Sequence, residues 1–369
     1  MRLAWFRPAP PNGADPLDDS GALVEWLRAS HHIDVITSAL AHDFVWMQFR
    51  QPYDLCVFEL DNTPAHQFAW PYLLHYGGVT MLRTLMLKES RGSALAERRQ
   101  GDDYRAELEF RRDSRLLRAP VLASRLTVVA HESTAQALQE EYAEARVRFA
   151  PPGVHGVQGV QKVQDERTSA SVTVGVLGAT NQGDVIERAC QRARDAGVPL
   201  TLIDEHPSDV VLREADIVIA LRWPMAGEPD TAALAAMAAG RPVIVMETEV
   251  TADWPAYDPQ TWRARGAAGG PPIAVSVDPR DEEHSLMVAI RDLARDRTLR
   301  EELGAAAQAW WRAQATVEHA AAAWQGILEE ARTLERPPRP ADWPAHLTAD
   351  GTEDARAILR DTGATVDFL

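Results

Sequence analysis

Between Leu212 and Met246 the run LREADIVIALRWPMAGEPDTAALAAMAAGRPVIVM sets a guanidinium, an indole and a carboxylate beside the start of a helix. The apolar stretch Ile217 to Leu221 predicts a buried strand, and the Ala-rich stretch from Thr231 predicts a helix. Gly240-Arg241-Pro242 then turns into a second strand, Val243 to Met246. Arg222 and Trp223 therefore follow the carboxyl end of a strand, while Gly227, Glu228, Asp230 and Thr231 lead into the helix. Ligands of open α/β sheets bind at such strand ends, and a helix start offers free N–H groups to phosphate oxygens. Arg222 is the cation placed to meet a phosphate, with a structural ion pair as its alternative. Asp230, as the expected N-cap, competes for the same N–H groups. Glu228 is either a ligand contact or a solvated loop acid. Trp223 is the ring placed to pack on a ligand, whereas Trp310, Trp311 and Trp324 are expected to pack within helices.

A second loop of interest follows the strand Val172 to Leu177, where Gly178-Ala179-Thr180-Asn181-Gln182-Gly183-Asp184 carries no basic residue. A phosphate there would meet main-chain N–H groups, with Gly178 and Thr180 as the contacts. The same stretch, with Asp204 about 20 residues beyond Gly183, is similar to a dinucleotide fingerprint. Its spacing is not G-x-G-x-x-G, and no Tyr-x-x-x-Lys accompanies it. An NAD-binding oxidoreductase is thus kept as a weaker alternative. His131 stands at the end of a predicted strand, Leu126 to Ala130, where it either faces a ligand or serves the structure.

These residues need a scaffold, and strands alternating with helices supply one twice over. The first set of strands lies near Leu3, Ile33, Leu55, Val79, Leu126 and Val147; the second lies near Val172, Leu200, Ile217, Val243 and Ile273. The expected class is α/β, each half a parallel sheet wound with helices. The expected divisions are an N-terminal domain over 1–152, a linker over 153–170, a C-terminal domain over 171–332 and a tail over 333–369. The linker is rich in Gly, Gln and charge, and the Pro-rich run from Glu335 to Pro340 ends the last helix.

The strand, Leu221-Arg222-Trp223-Pro224, Gly227-Glu228, helix, and Ala239-Gly240-Arg241-Pro242-Val243-Ile244-Val245 together resemble the donor region of retaining GT-B glycosyltransferases of family 4, also called group 1. Tyr53-Asp54-Leu55, Asp61-Asn62-Thr63-Pro64, Trp70-Pro71-Tyr72-Leu73-Leu74, Val128 to Ser133 and Ala145 to Val154 extend the resemblance through the first half, and Leu299 to Arg332 resembles the family's last helices. The resemblance implies two Rossmann-like domains facing a cleft, the first binding the acceptor and the second the donor. It implies transfer of a sugar from a nucleoside diphosphate sugar to a hydroxyl acceptor, a glycan or lipid-linked, with retained configuration. No metal or other cofactor is implied, the nucleotide-sugar being a substrate. Carried over residue by residue, the catalytic positions are Glu228 and His131, and the donor positions are Arg222, Trp223, Gly227, Asp230, Thr231, Gly178, Thr180, Asn12 and Gly13.

The chain also departs from the family. The Arg and Lys usual in the loop after the first strand of the second domain are missing. Ala235 and Ala236 stand where a second glutamate is usual, and Arg83-Thr84-Leu85 replaces a histidine-bearing run. A non-catalytic relative serving as a binding or partner subunit is therefore the alternative reading.

Composition narrows the partners. A formal net charge of −16 argues against nucleic acid, because phosphate binding needs a basic surface. The basic residues from Arg91 to Arg118 (including Arg98, Arg99, Arg111, Arg112 and Arg115) alternate with acids and read as a solvated helical face, with peripheral membrane contact as the alternative. Charges interrupt every apolar run short of the roughly 18 residues of a membrane span. Asp15, Asp18 and Asp19 are unlike a secretory signal, and Cys56 and Cys190 read as two buried thiols. A cytoplasmic location is expected.

Overall fold

The computed structural model describes residues 1–9, 15–97, 99–110, 113–156, 171–178, 180–266, 269–348 and 358–363. They form two compact units, one of Met1–Ala9, His31–Phe149 and Ile327–Leu369, the other of Pro10–Ser30 and Ala150–Gly326. The α/β class expected from the sequence is the one the chain adopts.

The first unit is built on β1 (Arg2–Phe6), β2 (His32–Ile36), β3 (Leu55–Leu60), β4 (Val79–Leu82), β5 (Leu126–Val129) and β6 (Val147–Phe149). They pair in the order β2-β1-β3-β4-β5-β6, every pair parallel. Sheets of this kind are covered on both faces, so their strands are apolar throughout. All six positions of β3 are buried accordingly. The unit's helices are α2 (Ala41–Arg50), α3 (Ala69–Tyr76), α4 (Lys88–Glu97), α5 (Gly101–Glu109), α6 (Arg118–Ala123) and α7 (Glu132–Glu141), while α1 (Asp19–Leu27) is counted with the second unit. An aromatic cluster of Phe6, Phe44, Phe58 and Tyr72 fills the space between sheet and helices.

The second unit carries β7 (Val172–Val176), β8 (Leu200–Ile203), β9 (Ile217–Ala220), β10 (Val243–Met246), β11 (Ala256–Tyr257), β12 (Ala264–Arg265) and β13 (Ala274–Val277). Their order is β12-β11-β13-β10-β9-β7-β8, and only the β11–β12 pair is antiparallel. Chain order reverses at β7, whose neighbours are β8 and β9, so the switch point of this sheet lies at the ends of those strands. The helices are α8 (Gly183–Asp195), α9 (Ser208–Glu214), α10 (Thr231–Ala238), α11 (Glu282–Arg295) and α12 (Arg297–Gln314). In α8 the buried residues Ile186, Ala189, Cys190 and Ala193 recur at helical spacing and make one apolar face. Helix α10 is buried nearly all round, and α12 lies close to its end: a Cβ on Gly304 would fall 2.3 Å from the Gly240 carbonyl oxygen.

The last helices are α13 (Val317–Thr333) and α14 (Ala345–Thr348). Beyond α13 the chain docks on the first unit, where Trp343 and Leu347 join its core. Arg336 donates to the carbonyls of Leu74 and His75 and so caps the end of α3. His346 bonds to Glu107, which Arg91 also holds. Arg91 is therefore buried and Arg115 is paired with Glu141, so the predicted solvated basic face is not what these side chains form. The alternation of signs was read correctly, but the partners come from distant elements rather than from water. Arg98, Arg111 and Arg112 lie outside the described residues.

Both cysteines are buried and unbridged, as expected. Burial pushes the Cys56 thiol up to about 12 and the Cys190 thiol up to about 11, which keeps both unreactive.

Candidate functional site

The four residues of β9 are fully enclosed because the strand lies between β7 and β10, and Leu221 extends the burial by one. The chain then leaves the sheet: Arg222, Trp223 and Pro224 are exposed, and the Trp223–Pro224 peptide is cis. Gly227 takes φ +79°, a region open to glycine at little cost, and turns the loop back toward α10. The half-buried Glu228 spends one carboxylate oxygen on the main-chain N–H of Ala226. Asp230 caps α10, its Oδ1 accepting the N–H of Ala233 at 3.0 Å. Burial pushes the Asp230 carboxyl up to about 6, against the pull of that hydrogen bond and of the nearby Arg222 charge. Thr231 is the first residue of the helix.

The loop after β7 is tied to this one. Gln182 is buried and donates from Nε2 to the Trp223 carbonyl at 2.7 Å. Thr180 in turn holds Gln182, accepting its main-chain N–H at 3.0 Å and donating to its Oε1 at 3.0 Å. Gly178 has φ +81°, and a Cβ there would come within 3.0 Å of the Ala232 Cβ. The structure thus brings Gly178, Thr180, Arg222, Trp223, Gly227, Glu228, Asp230 and Thr231 to one edge of the second sheet. Gln182, the residue that joins the two loops, escaped the sequence reading, because an amide in a polar loop gives no sign of its partner.

An open cleft of about 400 Å³ lies beside that edge, at the carboxyl ends of β7 and β8. Gly178, Thr180 and Gly183 form one wall, and Asp204, Glu205, His206 and Ser208 the other. Among the residues placed at the donor site from sequence, Gly178 and Thr180 line it, whereas Arg222, Trp223 and Glu228 belong to the edge next to it.

His131 is in the first unit, half-buried, at the N-cap position of α7 immediately after β5. A charged group missed by sequence reasoning lies at the carboxyl ends of other strands of that sheet. Glu59 of β3 is buried, with Arg7 Nε at 3.8 Å, Arg83 Nε at 3.9 Å and His66 Nε2 at 4.0 Å. Burial alone would raise the Glu59 carboxyl, but His66 and the charges of Arg83 and Arg7 outweigh it and hold the group at about 2. The available signal was an acid inside the otherwise apolar LCVFEL, with an arginine just past each of two other strands. Asn12 and Gly13 lie outside the described residues. Among the described residues no cluster of three His, Cys, Asp or Glu side chains could hold a metal ion.

Two largely parallel sheets with their helices, together with the likeness to solved structures, show the GT-B fold. Among solved structures the chain is similar to Anabaena HepE, solved in complex with UDP and glucose (TM-score 0.55, 12% identity, covering 89% of this chain and 99% of that one). It is also similar to WaaG, a glycosyltransferase involved in lipopolysaccharide biosynthesis (TM-score 0.54, 13% identity, 88% and 99% covered). No family model matches the sequence, and no curated protein does.

Proposed function

We propose that the chain is a glycosyltransferase that takes a sugar from a nucleoside diphosphate sugar and passes it to a hydroxyl of a glycan or lipid-linked acceptor with retained configuration. The observation that carries this reading is the convergence of the Gly178 loop, the Arg222–Trp223 loop and the start of α10, joined by Gln182 and Thr180. A helix start has more N–H groups than one capping side chain can use, so it has capacity for phosphate beyond its bond to Asp230. In the reaction the bond between the anomeric carbon and the diphosphate oxygen breaks. The acceptor oxygen bonds to that carbon on the same face while its O–H bond breaks and the proton passes to the departing diphosphate, whose oxygens carry the negative charge away. Main-chain N–H groups and the Arg222 guanidinium would stabilise that charge, with no metal or cofactor. Trp223, exposed beside them, offers an apolar face to the sugar. His131 in the first unit and Glu228 in the second are each proposed as catalytic groups, and the first unit is proposed to hold the acceptor. The similarity to HepE, which was solved with UDP and glucose, supports the donor class. Two buried, unbridged cysteines are in keeping with a cytoplasmic setting.

The competing reading, a non-catalytic binding subunit, draws on Glu228 turning to its own loop backbone and on the absence of a cation between Gly178 and Asp184. Thermal denaturation in the presence of UDP-, GDP- and ADP-sugars separates the two, with NADH alongside because of the cleft at Asp204. A ligand at about 100 times its Kd adds about 2.7 kcal/mol to the folded state. One nucleotide-sugar should stabilise the protein and be hydrolysed or transferred. Binding without turnover would favour the subunit, and stabilisation by NADH alone would overturn both. Arg222→Ala should weaken donor binding by about tenfold, as expected for one charge-assisted contact. Unchanged affinity by calorimetry would remove Arg222 from the site.

A further inference from the structure

Helix α2 breaks the pattern of a surface helix. Its inward side, with Phe44 and Met47, packs into the core of the first unit. The outward side of such a helix is normally polar. Here, beside the exposed His42, Asp43 and Arg50, it carries Val45, Trp46 and Phe49, 46%, 63% and 79% exposed, and Leu40 at the N-cap is 45% exposed. The Trp46 and Phe49 rings meet edge to face at 6.1 Å, and the Arg50 guanidinium lies 5.6 Å from the centre of the Trp46 ring. Two large exposed rings in contact with each other, with further apolar side chains exposed on the same helix, mark a contact surface.

Its size and chemistry indicate what it meets. Taking ~200 Å² for a whole aromatic side chain, the four residues expose on the order of 500 Å². A stable protein–protein interface needs ~800 Å² from each partner. An indole and a phenyl ring beside an arginine suit the boundary of a bilayer. There Trp favours headgroup depth, and a long cationic side chain can reach a phosphate while its stem stays in apolar surroundings. We propose that α2 lies flat in the headgroup layer of a lipid bilayer, with Trp46 and Phe49 entering its apolar edge and Arg50 meeting lipid phosphate. This moves membrane contact away from the Arg91–Arg118 segment, where Arg91 and Arg115 already hold Glu107 and Glu141. The inference stands on α2 alone and does not require the donor reading.

The net charge of −16 opposes an anionic surface at long range, so zwitterionic vesicles are the appropriate probe. The full chain is expected to sediment with phosphatidylcholine vesicles, and the Trp46→Ser/Phe49→Ser variant should partition about tenfold less or worse. Because both side chains are exposed, the variant should keep the parent's thermal midpoint and its response to nucleotide-sugars. Vesicle binding that is absent in the parent, or equal in the two proteins, overturns the proposal. A dimer of the parent that the same substitutions disperse, seen by light scattering, also overturns it and gives the surface to a second copy of the chain.

Discussion

Asp230 sits where its charge is costly and its oxygen is needed. As the cap of α10 it accepts the Ala233 N–H, yet burial lifts its carboxyl from 3.8 to about 6. A carboxyl raised in the folded state holds its proton there longer than in the unfolded chain, so folded protein binds more protons between these two values. Stability should therefore be highest below about pH 4 as far as this group is concerned, and should fall as pH rises toward 6. The shift of about two units sets an upper limit of about 3 kcal/mol on the change. Asp230→Asn keeps the cap and removes the titration, so urea denaturation of the variant should lose this part of the pH dependence. A variant with the parent's profile would show that Asp230 is ionised throughout. Its capping role was readable because an N-cap is a local matter of one side chain and a main-chain N–H two or three residues on. Glu59 was not, since Arg7, His66 and Arg83 meet it only after the strands have been ordered as β1-β3-β4.

At the scale of elements the same division holds. Parallel strands enclosed on both faces are continuous apolar runs, so β1, β3, β7, β9, β10 and β13 stand out in the sequence within a residue or so. The two-residue strands β11 and β12 have too little pattern to be seen, and they exist because β13 offers β11 an edge. How closely helices approach is also silent in a sequence, because a glycine in a helix looks merely unfavourable. Gly304 of α12 and Gly326 of α13 make the contrast. A Cβ on Gly304 would strike the Gly240 carbonyl, while one on Gly326 meets nothing within 4 Å. Gly304→Ala should therefore cost about 1–3 kcal/mol through forced separation of α12 from the turn after α10. Gly326→Ala should gain about 0.5–1 kcal/mol from helix propensity alone. Chemical denaturation of the two variants measures both, and equal effects would mean that α12 can shift without loss.

For the molecule as a whole, the sequence showed two α/β halves, and the order and spacing of the donor-side motifs carried the GT-B resemblance. It did not show that residues 336–347 belong to the first fold, because a Pro-rich stretch has no periodicity from which docking can be read. The structure places Trp343 and Leu347 in that core, with Arg336 on α3 and His346 on Glu107. Trp343 is 6% exposed, and Trp343→Ala should cost about 3 kcal/mol. Urea denaturation followed by a probe in the first unit tests this, and a variant as stable as the parent would show the segment to be only loosely held.

That closing segment also bears on synthesis. The first unit is assembled from segments that lie on either side of the second in the chain, Ala150–Gly326 being enclosed between His31–Phe149 and Ile327–Leu369. A chain emerging from the ribosome can finish the later-encoded sheet while the earlier unit still waits for Ile327–Leu369. The half translated first is completed last, and until that closing segment emerges its open face depends on the nascent chain's surroundings.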